Sequence, residues 1–286
     1  MKLPRPTTIT QKQVSAFLKP RQKDSHKGNF GTVAIIGGGE GMIGAAFLAG
    51  RAALKLGAGV VHVGLLADKM PAVDMRMPEL MVHRAQDALK LPGLDVVAIG
   101  NGLGRSLPAQ KLLFDAIKLD VTLVLDADAL NILAERPDLR GMLFERKRPT
   151  LLTPHPGEAA RLLHLKTEEV QDARVVSVLD IAKRYHGSVV LKGADSLIAS
   201  ADGKVFVNKT GNPGMSSAGM GDVLSGMIAA FVAQGLAADE ALLLAVHLHG
   251  AAGDALAEQV ATIGMSATEV TEWARWLLNQ MAPPLR

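Results

Sequence analysis

The stretch Gly211-Asn212-Pro213-Gly214-Met215-Ser216-Ser217-Ala218-Gly219-Met220-Gly221-Asp222-Val223-Leu224-Ser225-Gly226 decides how the chain is to be read. Five glycines in sixteen positions let the backbone turn where side chains would clash. Val223 to Gln234 then reads as a helix with few polar residues, one that a core would bury. A glycine-rich loop running into a helix start presents unpaired N–H groups and the positive end of the helix dipole. That is an anion hole, suited above all to phosphate. Asp222 sits at its edge. A carboxylate there does not bind phosphate, because like charges repel. It is placed to take a proton from a hydroxyl that attacks the phosphate. The plain alternative is a helix cap after a flexible loop, which leaves the density of glycine unexplained.

Outward from this stretch the chain alternates short apolar runs with helical ones. Residues 1–26 read as a short lead with a helix around Gln11–Leu18. Lys27-Gly28-Asn29-Phe30-Gly31 introduces the strand Val33–Ile36; a glycine loop from Gly37 to Gly44 and a helix from Ala45 to Leu56 follow. Gly39, Gly41 and Gly44 have the spacing of a dinucleotide fingerprint. That reading wants an acid closing the second strand, and Val60–Leu65 ends without one; Asp68 comes three residues later. The next strands are Leu94–Ile99, Val121–Leu125, Thr150–Leu152 and Ser188–Leu191. They are closed in turn by Gly100-Asn101-Gly102-Leu103-Gly104, by Asp126-Ala127-Asp128, by Thr153-Pro154-His155-Pro156-Gly157-Glu158 and by Lys192-Gly193. Strands separated by helices predict a mainly parallel sheet with helices on both faces. Ligands of such sheets bind beyond the carboxyl ends of the strands, where these polar clusters fall. Ser196–Ala199 and Lys204–Val207 flank Ala201-Asp202-Gly203 as a hairpin. Helices follow at Ala238–Leu256 and Ala267–Leu278. No repeat or linker interrupts the chain, so residues 1–286 are expected to form one domain.

Within these clusters, His155 is held between two prolines, which restrict its backbone. Glu158 opens a helix, where a carboxylate favours the dipole whether or not it serves a site. Lys192-Gly193-Ala194-Asp195-Ser196 reads equally as a binding loop or as a turn with a solvated lysine. Asp128 is expected to cap the next helix, with Asp126 as a weaker site candidate. Gly102 and Gly104 would let a ligand approach the backbone. His247 and His249 lie two apart on a helix and point different ways, so they are not a metal pair.

Gly219-Met220-Gly221-Asp222 resembles the G-x-G-D anion-hole signature of ribokinase-like kinases. Asn212-Pro213-Gly214-Met215 before it and Val223-Leu224-Ser225-Gly226 after it resemble one branch of them, the ADP- or ATP-dependent NAD(P)H-hydrate dehydratases. Thr153–Glu158 supports the same branch, and the likeness runs from about Lys27 to Leu256. It implies a ribokinase-like three-layer α/β/α sandwich. The implied activity is nicotinamide-nucleotide repair, in which the 6-hydroxyl of (S)-NAD(P)H hydrate is phosphorylated and phosphate is eliminated. Asp222 would be the base, and Ala218, Gly219, Met220 and Gly221 the anion hole. Ala45, Gly104, His155 and Asp222 would contact the hydrate. Lys192, Gly193, Ala194, Asp195, Ser196 and Gly221 would bind the adenine nucleotide, and Glu158 would reach Mg²⁺ through water. ADP is the expected co-substrate, with ATP as the alternative. The implied substrates are NADHX and NADPHX, a separate epimerase is the implied functional partner, and the implied assembly is a homotetramer. The lead is too short to hold a fused epimerase domain. Two other readings share the sequence: a kinase of hydroxymethyl or hydroxyethyl heterocycles using the same anion hole, and an NAD-binding sensor built on Gly39–Gly44.

Composition narrows the rest. The chain has 286 residues, 48% of them hydrophobic and only 3% aromatic, so its core is aliphatic and large. A net charge of +3 without a basic block argues against a nucleic-acid groove. With no cysteine, disulfides and thiolate chemistry are excluded. No apolar run reaches membrane-spanning length and no secretory core opens the chain, so a cytoplasmic protein is expected.

Overall fold

The computed structural model describes residues 4–284. Ten strands form one sheet: β1 (Thr7–Thr8), β2 (Thr32–Gly37), β3 (Val60–Leu65), β4 (Met81–Arg84), β5 (Val96–Ile99), β6 (Thr122–Leu125), β7 (Thr150–Leu152), β8 (Ser188–Leu191), β9 (Leu197–Ala199) and β10 (Val205–Val207). Their order across the sheet is β1-β10-β9-β8-β7-β6-β5-β2-β3-β4. From β8 to β4 every pairing is parallel. Among the described residues β9 alone runs against its neighbours, β8 and β10. The expected hairpin is therefore present, and it turns the sheet from a parallel body to a mixed edge.

The helices are α1 (Gln11–Ser15), α2 (Ile43–Lys55), α3 (Ala85–Ala88), α4 (Leu107–Ile117), α5 (Ala127–Glu135), α6 (Pro137–Phe144), α7 (Pro156–Leu163), α8 (Thr167–Asp172), α9 (Arg174–Tyr185), α10 (Met220–Ala233), α11 (Ala238–Gln259) and α12 (Ala267–Met281). Successive strand residues point to opposite faces, and both faces are apolar. Val33 and Ile35 of β2 pack with α1, α2, α10, α11 and α12. Ala34 and Ile36 pack with α3 to α9. The result is three layers with two aliphatic cores.

Two local differences from the sequence reading matter later. The helix expected from Val223 begins at Met220, because Gly219 takes a left-handed φ of 91° and ends the loop there. Met220, Gly221 and Asp222 are thus already in its first turn. The lead also contributes structure: Thr7 and Thr8 pair with Phe206 and Val207, and Val14 of α1 is fully buried. β4 escaped notice because Met81-Val82-His83-Arg84 has no buried residue and no apolar run.

The sheet's order turns at β2. From it β3 and β4 run one way and β5 to β8 the other, leaving a crevice between the carboxyl ends of β2 and β5. Over this crevice α10 packs directly against α2. A Cβ at Gly226 would lie 2.0 Å from the carbonyl oxygen of Ala49, so the two backbones touch there. Gly226→Ala is expected to push α10 off α2 and to destabilise by about 1–3 kcal/mol, as overpacking does. The measurement is the denaturant midpoint. An unchanged midpoint would show that the contact is slack.

Candidate active site

The first turn of α10 stands at the mouth of this crevice. Its N-cap, Gly219, offers no side chain to the helix amides. Val223 N–H is the amide that closes the first turn, onto Gly219 O at 3.0 Å. The N–H groups of Met220, Gly221 and Asp222 precede it and have no acceptor within the helix. Gly221 itself has a helical φ rather than a positive one. Its need for glycine is one of space: a Cβ there would lie 3.2 Å from Lys192 Nζ and 3.7 Å from Asp126 Oδ2.

Lys192 reaches this point from the end of β8. Its ammonium donates to Asp126 Oδ1 at 2.9 Å and lies 3.9 Å from Glu158 Oε2. Burial alone would lower its pKa, but the two carboxylates reverse the sign and hold it above the ordinary lysine value. Asp126 is 2% exposed. Burial opposes its charge; Lys192, through charge and hydrogen bond, outweighs it and holds the carboxyl below the usual range. Its other oxygen accepts from Ser225 Oγ at 2.7 Å and from Asn101 Nδ2 at 3.5 Å. Ala127, the next residue, has a φ of 48°. That conformation costs an alanine about 1–2 kcal/mol and marks where the chain is bent to aim Asp126.

Asp222 faces the same cluster. Its Oδ1 accepts from Asn101 Nδ2 at 2.8 Å. Burial raises its pKa to about 6; the Asn101 hydrogen bond opposes the rise, Asp126 adds to it and Lys192 opposes it. A carboxylate with a pKa there is ionised at neutral pH yet basic enough to accept a proton.

His155 and Glu158 open α7 as a reciprocal cap. His155 Nδ1 accepts from the N–H groups of Gly157 and Glu158 at 3.0 and 3.3 Å, while Glu158 Oε2 accepts from His155 N–H at 2.8 Å. Two donors at Nδ1 leave the ring proton on Nε2, which lies 3.3 Å from Glu158 Oε1. Burial, then Lys192 and Arg161, keep this histidine neutral by lowering its pKa. Burial raises the pKa of Glu158 against the pull of Lys192.

A cavity of about 480 Å³ lies beside α10, walled by Lys192, Gly193, Ala194, Asp195, Ser196 and Gly221. Gly211 to Pro213 of the opening glycine-rich stretch line it too, together with Asn208, Lys209 and Thr210, which the sequence did not single out. Asp195 is tied to Lys209 at 2.5 Å, and Ser196 Oγ donates to Gly193 O at 2.9 Å. Ala45 lies against the loop after β5, where a Cβ at Gly102 would fall 3.1 Å from its own. Gly39 N–H donates to Gly102 O at 2.7 Å, which joins the loops after β2 and β5 next to Ala45. Gly104 has a φ of 74° with open space where a side chain would be. A larger cleft, about 920 Å³, lies at the opposite end of the sheet against the C-terminal ends of α2 and α10. None of these groups reaches it.

Asp126, the weaker site candidate, joins the Lys192 cluster, while the cap expected of Asp128 does not form. Asp126, not Asp128, occupies the N-cap position of α5, and it makes no capping hydrogen bond. Asp128 lies in the first turn and accepts from Gly104 N–H at 2.8 Å. Asn101 and Ser225 went unremarked; the signal for Asn101 was a polar side chain set between two glycines at a strand end. His247 and His249 do not form a metal site, and no group of three or more His, Cys, Asp or Glu side chains is placed to hold a metal among the described residues.

Gly221→Val tests the crowding at the head of α10. With no positive φ to oppose, the variant is expected to keep its helical backbone and to fold, with a lowered midpoint where the Lys192–Asp126 pair is disturbed. Its branched side chain displaces the Lys192 ammonium, so affinity for a phosphate-bearing nucleotide falls at least tenfold. Unchanged affinity by calorimetry would separate Gly221 from the anion hole.

With this geometry in place, the likeness to known proteins becomes informative. The family model described as NAD(P)H-hydrate dehydratase matches residues 33–275. The ADP-dependent (S)-NAD(P)H-hydrate dehydratase of Neisseria meningitidis serogroup B is 42% identical over 267 residues, 92% of this chain and 90% of its own. The bifunctional NAD(P)H-hydrate repair enzyme of Coxiella burnetii is 43% identical over 272 residues. That match covers 94% of this chain and 54% of the relative, so the chain spans about half the length of the bifunctional enzyme. The solved ADP/ATP-dependent NAD(P)H-hydrate dehydratase from Bacillus subtilis, co-crystallised with ATP and Mg²⁺, has a TM-score of 0.85 at 31% identity, covering 98% of this chain and 99% of its own. The ribokinase-like sandwich therefore extends over the whole described chain. By sequence across most of its length and by fold throughout, this chain belongs to the NAD(P)H-hydrate dehydratase family.

Proposed function

We propose that the chain repairs hydrated nicotinamide dinucleotides, dehydrating the (S)-hydrate of NADH or NADPH at the expense of ADP. The observation that carries this reading is Asp222. Its carboxylate, with a pKa of about 6, stands in the first turn of a helix whose amides are free and whose neighbour is the Lys192 ammonium.

In this reading the nucleotide occupies the cavity beside Lys192–Ser196, and its terminal phosphoryl group lies against the amides from Ala218 to Gly221. The hydrate lies on the side of Ala45, Gly104 and His155, where His155 offers its Nε2–H as a donor. Asp222 takes the proton of the 6-hydroxyl as that oxygen attacks the β-phosphorus of ADP. The bond to AMP breaks, and the new phosphate ester sits on C6. The ring-nitrogen lone pair then expels phosphate, and loss of a proton from C5 restores the double bond. The products are NAD(P)H, AMP and phosphate. Lys192 and the helix dipole stabilise the charge that develops on the transferred group.

The donor set fits Mg²⁺ carried by the nucleotide. Mg²⁺ keeps several waters and needs one or two carboxylates beside substrate phosphates, and Glu158 supplies a hard oxygen 3.9 Å from Lys192. Bound there, it would offset phosphate charge, with Glu158 reached through water. We read the chain as a single domain, as a homotetramer in solution, and as a cytoplasmic partner of a separate epimerase that supplies the S-hydrate. Among the described residues no helix is long and apolar enough to cross a membrane.

Incubation with NADH hydrate, Mg²⁺ and either ADP or ATP tests the reading. Recovery of reduced-nicotinamide absorbance with release of inorganic phosphate is expected, faster with ADP. A stable organic phosphate would make the chain a kinase, and dinucleotide binding without phosphate release would make it a sensor.

Three further outcomes are expected. The rate falls on the acid side as Asp222 protonates near pH 6, because the base acts only when ionised; a pH profile flat down to pH 4 would remove it from that role. Asp222→Asn loses about 10²–10⁴-fold in kcat with nucleotide affinity little changed. His155→Ala raises KM for the hydrate more than KM for ADP, whereas equal rises would leave His155 as the cap of α7 alone.

A further inference from the structure

We propose that Asn101 is a positioning residue for the base, holding the Asp222 carboxylate in place and in its ionised form. This rests on Asp222 acting as the base. Asn101 is fully buried at the end of β5, where Gly38 N–H donates to its carbonyl at 2.9 Å. The backbone thus fixes the root of the side chain between the loops that follow β2 and β5. From there Nδ2 donates to Asp222 Oδ1 at 2.8 Å and reaches Asp126 Oδ2 at 3.5 Å. The amide oxygen, by contrast, is buried without a hydrogen-bond partner.

That asymmetry sets the orientation of the amide. Turned over, it would aim an oxygen at two carboxylates, and repulsion forbids it. The side chain therefore gives up pairing of its acceptor, a cost for any buried polar group, to present its NH₂ to Asp222 and Asp126. A residue kept for packing alone has no reason to leave an acceptor unpaired, since an apolar side chain of the same size would remove the penalty.

The charged groups that face Asp222 are Asp126, from the end of β6, and Lys192, from the end of β8, with Glu158 behind Lys192. They act in opposite senses. The Asn101 hydrogen bond is the neutral contact that favours the carboxylate against burial. Without it two things follow. The carboxylate loses the hydrogen bond that fixes its rotamer, and it holds its proton to higher pH.

The test uses Asn101→Leu, which matches the amide in size, and Asn101→Asp, which adds a carboxylate. The direct measurement is the ¹³C titration of the Asp222 carboxyl in the ligand-free protein; the second is the acid limb of kcat/KM for hydrate repair. In both variants the titration and the limb are expected to move upward by about one pH unit, which for a group that starts near 6 is about a fivefold loss of rate at pH 6. Activity returns to within a few-fold of the parent near pH 9 in Asn101→Leu. The thermal midpoint of that variant does not fall, because a buried unpaired acceptor is gone. A structural role would lower the rate equally at every pH and leave the titration where it was, and that outcome overturns the proposal. If Asn101→Leu does not fold, the smaller Asn101→Val, which also removes the donor without adding a charge, decides by the same two readouts. The titration needs no turnover, so a parent protein inactive on the hydrate would refute the proposed function while the Asn101 assignment is still decided.

Discussion

The ion pair between Lys192 and Asp126 is the interaction on which the rest of the site depends. Taking an ammonium and a carboxylate out of water costs several kcal/mol per ion, and mutual attraction offsets this only with good geometry and further hydrogen bonds. Both conditions hold: one Asp126 oxygen meets Lys192 at 2.9 Å and the other meets Ser225 at 2.7 Å. A hydrophobic pair of equal volume would serve stability as well. What such a pair could not do is set a fixed positive charge beside the free amides of α10. The ammonium stands at the first turn of the helix, 3.2 Å from where a Cβ of Gly221 would lie. Removing either partner would leave an unmatched buried charge, at about 3–5 kcal/mol, so these two positions constrain each other.

From that pair the electrostatics pass outward. Asp126 loads negative charge next to Asp222, which with burial raises the Asp222 carboxyl to about 6. Glu158 feels the same cluster and is bound into the cap of α7, whose other member is His155. Lys192, Asp126, Asn101 and Asp222 are therefore parts of one hydrogen-bonded network, which the His155–Glu158 cap meets through the ion pair of Glu158 with Lys192. Parallel strands make this possible. Their carboxyl ends lie on one edge of the sheet, and the polar residues that close four of them, β5 to β8, meet there without any long loop. The close contact of Gly226 with Ala49 seats α10 over that edge and so fixes where its first turn stands.

Much of this was legible where chemistry is local. Lys192–Ser196 follows a buried strand, Thr153–Glu158 joins a proline-held histidine to a helix start, and Gly219–Asp222 opens an apolar helix. In each the residues that act together are neighbours in the chain, so composition and spacing reveal them. Asp126 and Asp128 were harder. Both precede a helix, and which one caps it depends on the φ of Ala127, a strained value that no alanine advertises. β1 was missed for a related reason, since two threonines become a strand only when the edge of β10 is there to pair with them.

The amino-acid sequence by itself determined the alternation of strand and helix, the aliphatic core, the glycine-rich start of α10 and the carboxylate beside it. These follow from side-chain period, backbone freedom and charge within a few residues. Only the tertiary structure decided which carboxylate meets Lys192, that Asn101 donates to a base 121 positions away, and that Ser225 closes the far side of Asp126. Hydrogen bonds of that kind depend on distances of a few tenths of an ångström between separate strand ends, which are set by the packing of α10 on α2 and carry no periodic or local mark in the chain.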